Sequence, residues 1–239
     1  MMHIYNKNCF DVFEFIDQDS IDLVICDMPY GTTKNKWDSM LDLNLMWDSL
    51  KFICKERAPI CLFAKQPFTS KLISANVKGY KHEWFWEKNR AGNFAVVKYQ
   101  PLSIIEEILV FTTGGASPNY YPIKTKCKPR MNGGKSSSKN GQGFGGIKNG
   151  YFQTTEKNPT NLLKYKTVER RNSLHPSQKP VDLLSYIIKT YSKEGDLVLD
   201  FCMGSGSTGV AALSLKRKFI GIEIDEKYYN IAKSRLTDV

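Results

Sequence analysis

A short polar stretch, DMPY at positions 27–30, directly follows the apolar run IDLVIC and carries three residues suited to chemistry. Asp27 offers a carboxylate that can accept hydrogen bonds and stabilise positive charge. Pro29 has a fixed φ, which stiffens the backbone around it. Tyr30 offers a ring face on which a planar group can stack. Together these residues predict a site at the end of a strand, although an Asp-capped turn would also explain the stretch taken alone.

A second stretch, VLDFCMGSGSTGVAAL at 198–213, leads from an apolar strand through a glycine-rich turn into a helix. Gly204, Gly206 and Gly209 spell G-x-G-x-x-G, and Glu223 closes the next apolar run, as in a nucleotide-binding unit. Glycines let the backbone approach a ligand closely, and an acid after the second strand can hold ribose hydroxyls. The motif alone is a weak signal, because any tight strand-to-helix turn favours small residues.

The elements that must position these residues alternate along the chain. Apolar, strand-like runs begin near residues 21, 58, 82, 103, 195 and 218. Helical candidates span 38–56, 66–77, 180–193, 206–216 and 225–237. The alternation predicts an α/β fold with a mostly parallel, twisted sheet and helices on both faces. Ligands of such sheets bind beyond the carboxyl ends of the strands, so both stretches are expected to face one crevice.

Composition and charge narrow the function classes. The chain has 239 residues, 41% of them hydrophobic, which suits one large domain or a domain with an insertion. It contains 34 Lys and Arg against 24 Asp and Glu, a net charge of +10. The whole excess lies in residues 115–172, where twelve Lys or Arg accompany only Glu156 and Glu169. This distribution indicates a polyanionic partner.

The same segment, 115–172, contains MNGGKSSSKNGQGFGGIKNG and shows no hydrophobic periodicity. Because strand-like and helix-like sequence resumes after it, we expect an insertion into one domain formed by residues 1–114 and 173–239. A disordered linker is the alternative that composition alone leaves open.

The cysteines, the histidines and the lengths of the apolar runs argue against several classes of protein. The six cysteines form no C-x-x-C pair and mostly lie in apolar stretches, so reduced, buried thiols are expected. The histidines, at 3, 82 and 175, are too widely spaced to suggest a zinc site, and no metal is expected. No apolar run approaches the roughly 18 residues of a membrane helix, and the first residues lack a signal-peptide core, so a cytoplasmic protein is expected. Trp84 and Trp86, on one face of a strand, are expected in the core.

Four motifs in a fixed order resemble the beta class of S-adenosylmethionine-dependent DNA amino-methyltransferases. They are DMPY at 27–30, HPSQKP at 175–180, DFCMGSGST at 200–208 and IGIEID at 220–225. The resemblance implies a Rossmann-like methyltransferase fold with a circularly permuted motif order, catalytic motif first and cofactor motif last. It further implies S-adenosyl-L-methionine as cofactor, double-stranded DNA as substrate, and target recognition by the basic insertion. Met28 departs from the usual D-P-P-Y, and Cys202 stands where an aromatic residue is common.

The resemblance also assigns roles at the catalytic motif. An exocyclic amine is a poor nucleophile, and a site activates it by accepting hydrogen bonds from both of its N–H groups. Asp27 would accept one and the backbone carbonyl of Met28 the other, with Pro29 holding that carbonyl. Tyr30 would stack on the base after it leaves the duplex. An initial Asp rather than Ser favours the adenine amine, and the absence of any Pro-Cys pair disfavours methylation of a ring carbon.

For the cofactor, Lys179 would meet the methionine end, Asp200 its amino group and Glu223 the ribose hydroxyls, while His175 would act as a structural hydrogen-bonding residue. The full set implied for the cofactor is Asn8, Cys9, Asp27, His175, Lys179, Asp200, Phe201, Cys202, Gly204, Ser205, Gly206, Thr208, Glu223 and Ile224. The set implied for DNA is Lys124, Lys126, Lys128, Arg130, Lys135, Lys139, Lys148, Arg170 and Arg171.

Several alternatives stay open from the sequence. RNA, a protein glutamine amide or the 4-amino group of cytosine would present a similar planar amine to the same pocket. A nucleotide-dependent oxidoreductase would use the same glycine motif, although too little sequence follows it to complete such a domain. A DNA-binding protein with an inactive pocket is a further interpretation. The target sequence, a homodimer, a cognate restriction enzyme and a bacterial or phage origin are all left undetermined.

Overall fold

The computed structural model describes residues 1–31, 40–132 and 152–239. The chain divides into two compact units, Met1–Tyr121 with Asn161–Val239, and Pro122–Thr160. The second unit lies within the segment expected as an insertion, while both ends of that segment belong to the first unit.

In the described part of the first unit, eight strands form one sheet. Numbered along the whole chain, they are β1 (Met2–Tyr5), β2 (Leu23–Cys26), β3 (Ile60–Ala64), β4 (Tyr80–Gly92), β5 (Ser103–Phe111), β8 (Leu162–Lys164), β9 (Leu197–Asp200) and β10 (Lys218–Ile222). Their order is β1-β10-β9-β2-β3-β5-β4-β8. All neighbours are parallel except that β5 runs antiparallel to β3 and β4. The predicted α/β fold with a mostly parallel sheet is confirmed.

Helices cover both faces of this sheet. They are α1 (Cys9–Phe13), α2 (Leu43–Ile53), α3 (Phe68–Ala75), α4 (Val181–Tyr191), α5 (Ser207–Ser214) and α6 (Glu226–Thr237). The side chain of Asp42 caps α2 and that of Asp225 caps α6, each by accepting backbone N–H groups of the first turn. None of the helices in the described ranges is long and apolar enough to cross a membrane.

Strand β2 shows how the sequence builds two cores. Its four residues are fully buried and alternate between the faces of the sheet. Val24 belongs to the cluster formed with α1, α2 and α3, whereas Leu23 belongs to the cluster formed with α4, α5 and α6. A strand buried on both faces reads as a continuous apolar run, and the sequence of β2 is such a run.

The two tryptophans of β4 lie in the second of these cores, as predicted. Trp84 and Trp86 are almost fully buried. The indole N–H of Trp84 donates to the hydroxyl of Tyr191 at 2.7 Å, and that of Trp86 donates to the carbonyl of Tyr165 at 2.9 Å. All six cysteines are free thiols, and four of them are buried, so this expectation also holds.

The second unit contains β6 (Thr125–Asn132) and β7 (Phe152–Lys157), which pair antiparallel. The sequence analysis named no strand in segment 115–172, whereas the structure has β6, β7 and β8 there. Periodicity missed these strands because β6 and β7 are mostly polar and pair through backbone hydrogen bonds. Lys135, Lys139 and Lys148 fall outside the described residues.

Candidate active site

The site is built where β2 and β9 end side by side. Leu23 pairs with Val198 and Val24 with Leu199, both in parallel register. Asp27 follows β2 directly, and Asp200 is the last residue of β9. Two motifs more than 170 positions apart in sequence are thus brought to one point at the carboxyl edge of the sheet.

A cavity opens at this point. Among residues implied by the motifs, its lining includes Asn8, Cys9, Asp27, Pro29, His175, Lys179, Asp200, Phe201, Cys202, Gly204, Ser205, Thr208, Glu223 and Ile224. Gly206, Met28 and Tyr30 are not part of the lining. Gly206 has a positive φ of 77° at the start of α5, and a Cβ added there would lie 3.0 Å from the Cβ of Ala232. Gly206 therefore serves close packing between α5 and α6.

Sequence reasoning missed other residues that line the cavity. They are Lys7, Leu41, Phe63, Ser177, Gln178, Leu184, Met203, Ser207, Asp225 and Tyr228. Ser177, Gln178 and Asp225 lie inside motifs already recognised, so they could have been predicted from the sequence. Phe63 could also have been predicted, because it lies near the carboxyl end of a parallel strand. No sequence pattern identified Tyr228, because its place in the lining depends on how α6 packs.

Asp200 is a buried carboxylate in the cavity lining, only 4% exposed. Burial raises its pKa to about 7, against the opposing effect of hydrogen bonds from Thr208 and from the N–H of Cys202. Burial disfavours the charged form of this carboxylate, whereas a nearby cation would stabilise that form strongly. Asp200 therefore fits the ammonium group of the methionine moiety implied by the motifs.

Glu223 is held in a fixed orientation beside the glycine turn. Its carboxylate accepts the N–H of Gly204 at 2.8 Å and that of Asp225 at 2.9 Å. Burial raises its pKa, and these backbone donors act in the opposite direction. Since a carboxylate has about four acceptor positions, Glu223 can still accept a hydrogen bond from a ligand. It therefore fits the paired hydroxyls of a ribose.

The glycine turn contributes Gly204 to the cavity lining. Gly204 has a φ of +52°, a conformation that favours glycine, and an added Cβ would lie 3.5 Å from the ring of His175. His175 is held by contacts of its own: Nδ1 lies 3.0 Å from Oγ of Ser177, and its ring meets that of Tyr228 edge-on at 4.2 Å. Burial lowers its pKa, which favours the neutral imidazole.

Both carboxylate oxygens of Asp27 accept hydrogen bonds from other side chains. Its Oδ1 accepts the hydroxyl of Tyr30 at 2.8 Å, and its Oδ2 accepts from Nζ of Lys179 at 2.5 Å. Burial opposes the charge on Lys179, but Asp27 and Glu106 outweigh this effect and hold the pKa of the lysine above its usual value. Lys179 therefore stays charged and keeps Asp27 oriented; its expected contact with the cofactor stays a prediction.

Glu106, on β5, is a second partner of this lysine that the sequence did not reveal. Its Oε1 lies 3.0 Å from Nζ of Lys179, and its Oε2 lies 3.2 Å from Nζ of Lys88 on β4. Burial raises the pKa of Glu106, yet the two ammonium groups bring it below its ordinary value. With Asp27 included, two carboxylates and two ammonium groups form a neutral network behind the cavity. In the sequence, Glu106 is distinguished only as one of two acidic residues inside the otherwise mostly apolar run SIIEEILVF.

The other members of DMPY are partly built into the core. The ring of Tyr30 stacks on Phe68, with centroids 5.0 Å apart and an interplanar angle of 27°. Met28 is 2% exposed, and its side chain belongs to the core that packs against α1, α2 and α3. Asn8, at the rim of the cavity, accepts the N–H of Phe10 at 3.0 Å and so caps α1.

The residues expected to contact DNA are spread over both units. Lys124, Lys126 and Lys128 are exposed on the second unit, where Lys124 lies 3.7 Å from Glu156. Arg130 lies in β6. In the first unit, Arg170 and Arg171 belong to the 3₁₀ turn Arg170–Asn172, and Nε of Arg171 lies 2.8 Å from Glu169.

Comparisons with known proteins place the chain among DNA methylases. A family model described as DNA methylase matches residues 21–234. Type II methyltransferase M2.MboI of Moraxella bovis is 26% identical, with 99% of this chain and 88% of that enzyme covered. Type II methyltransferase M1.MboII of the same species is 27% identical, with 96% and 94% covered. Type II methyltransferase M2.DpnII of Streptococcus pneumoniae is 51% identical over 71 residues, which span 30% of this chain and 26% of that enzyme.

Solved structures share the fold. The M1.HpyAVI–SAM complex has a TM-score of 0.67 at 23% identity, with 99% of each chain covered. The PvuII DNA methyltransferase, described as cytosine-N4-specific, has a TM-score of 0.68 at 16% identity, with 98% of this chain and 86% of that chain covered.

Proposed function

The chain belongs to the DNA methylase family whose model spans residues 21–234, and from that premise we propose that it methylates the 6-amino group of adenine in double-stranded DNA. Enzymes of this family take the methyl group from S-adenosyl-L-methionine, which supplies an electrophilic methyl on a sulfonium centre. The cavity at the ends of β2, β9 and β10 fits that cofactor, with Asp200 toward the ammonium and Glu223 toward the ribose.

The observation that carries the proposal is the fixed carboxylate of Asp27 at the wall of this cavity. Lys179 and Tyr30 each occupy one acceptor position, which leaves further positions on the same oxygens for an amine N–H. The backbone carbonyl of Met28 offers the second acceptor, independent of its side chain. Hydrogen bonds from both N–H groups make the nitrogen lone pair available and stabilise the positive charge that develops during attack.

The choice of adenine rests on Asp27. Members that methylate the cytosine amine tend to begin this motif with Ser, whereas this chain begins it with Asp. The likeness to the cytosine-N4-specific PvuII enzyme, at 16% identity, concerns the fold alone. We extend the assignment to a Type II modification enzyme because the relatives covering nearly the whole chain carry that description.

The family match and the exposed lysines of the second unit support DNA, rather than RNA or protein, as the substrate. A duplex substrate requires the target base to leave the stack at a cost of a few kcal/mol before its amine can reach Asp27. A surface that binds phosphates offsets this cost without reading sequence.

Nucleoside mass spectrometry on DNA from cells that express the protein tests the proposal. We expect N6-methyladenine with the wild type, and none with Asp27→Ala, which removes an acceptor needed most as charge develops. Calorimetry with S-adenosyl-L-methionine should give similar dissociation constants for both proteins. N4-methylcytosine in place of N6-methyladenine would overturn the choice of base. Turnover of Asp27→Ala within about tenfold of wild type would remove Asp27 from the proposed role.

A further inference from the structure

The β4–β5 hairpin extends past the end of the neighbouring parallel strand. Ala64, the last residue of β3, pairs with Glu107 of β5, which in turn pairs with Phe85 of β4. Strand β4 then continues to Gly92. Because β4 runs in the same direction as β3 and β2, its far end points beyond the edge of the sheet at which Asp27 lies. The overhang of seven residues corresponds to roughly 20 Å of extended chain.

The tip of this hairpin, residues 93–102, is unusually apolar for an exposed turn. Phe94 is 64% exposed, Val97 53% and Tyr99 88%. Val96 at the same tip is also exposed, as is Ile104 just beyond it. Contiguous apolar side chains of this kind on the surface of a globular fold mark sites that bind something.

The charges around the tip point to a polyanion. From Lys88 to Ile105 the sequence has three basic residues and no carboxylate. Arg90 and Lys98 are exposed, whereas Lys88 is engaged by Glu106. Exposed aromatic rings next to exposed basic side chains are the combination by which proteins hold unstacked bases and their phosphates.

We propose that this hairpin tip contacts the DNA beside the target nucleotide and that Phe94 and Tyr99 pack against bases exposed when the target leaves the stack. The inference rests on the proposed function, because it takes the duplex to lie over the edge of the sheet that carries Asp27. Base flipping unstacks the neighbours of the target, and aromatic side chains can stack on the base faces that this exposes.

Fluorescence anisotropy with a labelled duplex carrying the mapped target site tests the inference independently of catalysis. We expect Phe94→Ala and Tyr99→Ala each to weaken binding about tenfold. The slope of log affinity against log salt should stay unchanged, since these variants keep every basic side chain that can meet a phosphate. Lys98→Ala should instead flatten that slope by about 0.9. The calorimetric dissociation constant of S-adenosyl-L-methionine should match the wild type in every variant.

Phe52→Ala is the matched control. Phe52 is 54% exposed on α2, and its carbonyl accepts the N–H of Asp19, which precedes β2 and so lies toward the opposite edge of the sheet. If the hairpin variants bind DNA as tightly as Phe52→Ala, the inference is overturned. It is also overturned if they convert a dimer into monomers in sedimentation while DNA affinity is unchanged, because the tip would then be a contact between copies. A wild type that binds the duplex through these residues but forms N4-methylcytosine at the mapped site would instead count against the proposed function alone.

Discussion

Nζ of Lys179 lies 2.5 Å from Oδ2 of Asp27, so the carboxylate expected to polarise the substrate amine is ion-paired to a lysine 152 positions later in the chain. This lysine is 9% exposed and also lies 4.8 Å from the centroid of the Phe63 ring. Alone, its charge would oppose the positive charge that forms on the amine. Glu106 offsets that charge, and so the network leaves Asp27 oriented without adding net positive charge near the reacting nitrogen.

Glu106→Gln should therefore lower kcat by about tenfold, because the network behind Asp27 then carries one uncompensated positive charge. The dissociation constant of S-adenosyl-L-methionine should change little, since Glu106 is not part of the cavity lining. Steady-state methylation of plasmid DNA measures kcat, and calorimetry measures the dissociation constant of the cofactor.

Glu107→Gln is the control for this variant, because Glu107 is the next residue of β5, is also partly buried, and accepts the hydroxyl of Thr69 instead of meeting Lys179. A merely structural role for Glu106 would lower the free energy of unfolding in Glu106→Gln and leave kcat of the folded enzyme intact. Equal kcat values for the two variants would refute the positioning role.

Tyr30 links two functions that substitution can separate. Its ring packs on Phe68 and its hydroxyl donates to Asp27. Tyr30→Phe keeps the ring and should lower kcat only several-fold, because it removes that one hydrogen bond. Tyr30→Ala should be much more damaging to both kcat and DNA affinity, because it also removes the proposed surface for the flipped base. Equal losses in the two variants would argue against stacking on Tyr30.

Much of this site could be predicted from the sequence, for a physical reason. Asp27 and Asp200 both follow apolar runs, and parallel strands in an α/β sheet expose their carboxyl ends on one edge. Glu106 could not be found in this way, since its role depends on β5 lying between β3 and β4. Strand β1 and helix α1 were also missed, because four and five residues are too few to show a period.

Asp200 should make cofactor binding depend on pH. Its pKa is raised to about 7, so the carboxylate is largely protonated at pH 6 and largely ionised at pH 8. Only the ionised form attracts an ammonium group, so the affinity for S-adenosyl-L-methionine should rise between these values. Asp200→Asn should weaken binding at pH 8 and flatten the dependence, as calorimetry across this range would show.

The same carboxylate gives a stability test with a defined sign. Burial raises the pKa of Asp200 in the folded protein to about 7, above its ordinary value in the unfolded chain. The unfolded chain therefore loses this proton at lower pH than the folded protein does. As a result, the free energy of unfolding falls as the pH rises from the ordinary pKa of an Asp to about 7. Without ligand, Asp200→Asn should therefore gain stability relative to wild type between pH 5 and 8, as measured by urea unfolding. A wild-type affinity that does not change with pH, together with an unchanged stability difference, would show that Asp200 is ionised throughout.

The lysines of the second unit should contribute to DNA binding by pairing with phosphates. Lys124, Lys126 and Lys128 are exposed, and removing one lysine–phosphate pair flattens the slope of log affinity against log salt by about 0.9. Replacing all three with Ala should weaken binding at low salt and flatten the slope, while leaving calorimetric binding of S-adenosyl-L-methionine unchanged. A triple Ala variant of Lys71, Lys78 and Lys189, which are exposed in the first unit, removes the same net charge and serves as the control. If both triple variants gave the same slope, net charge would explain the affinity and the second unit would have no specific part in holding the duplex.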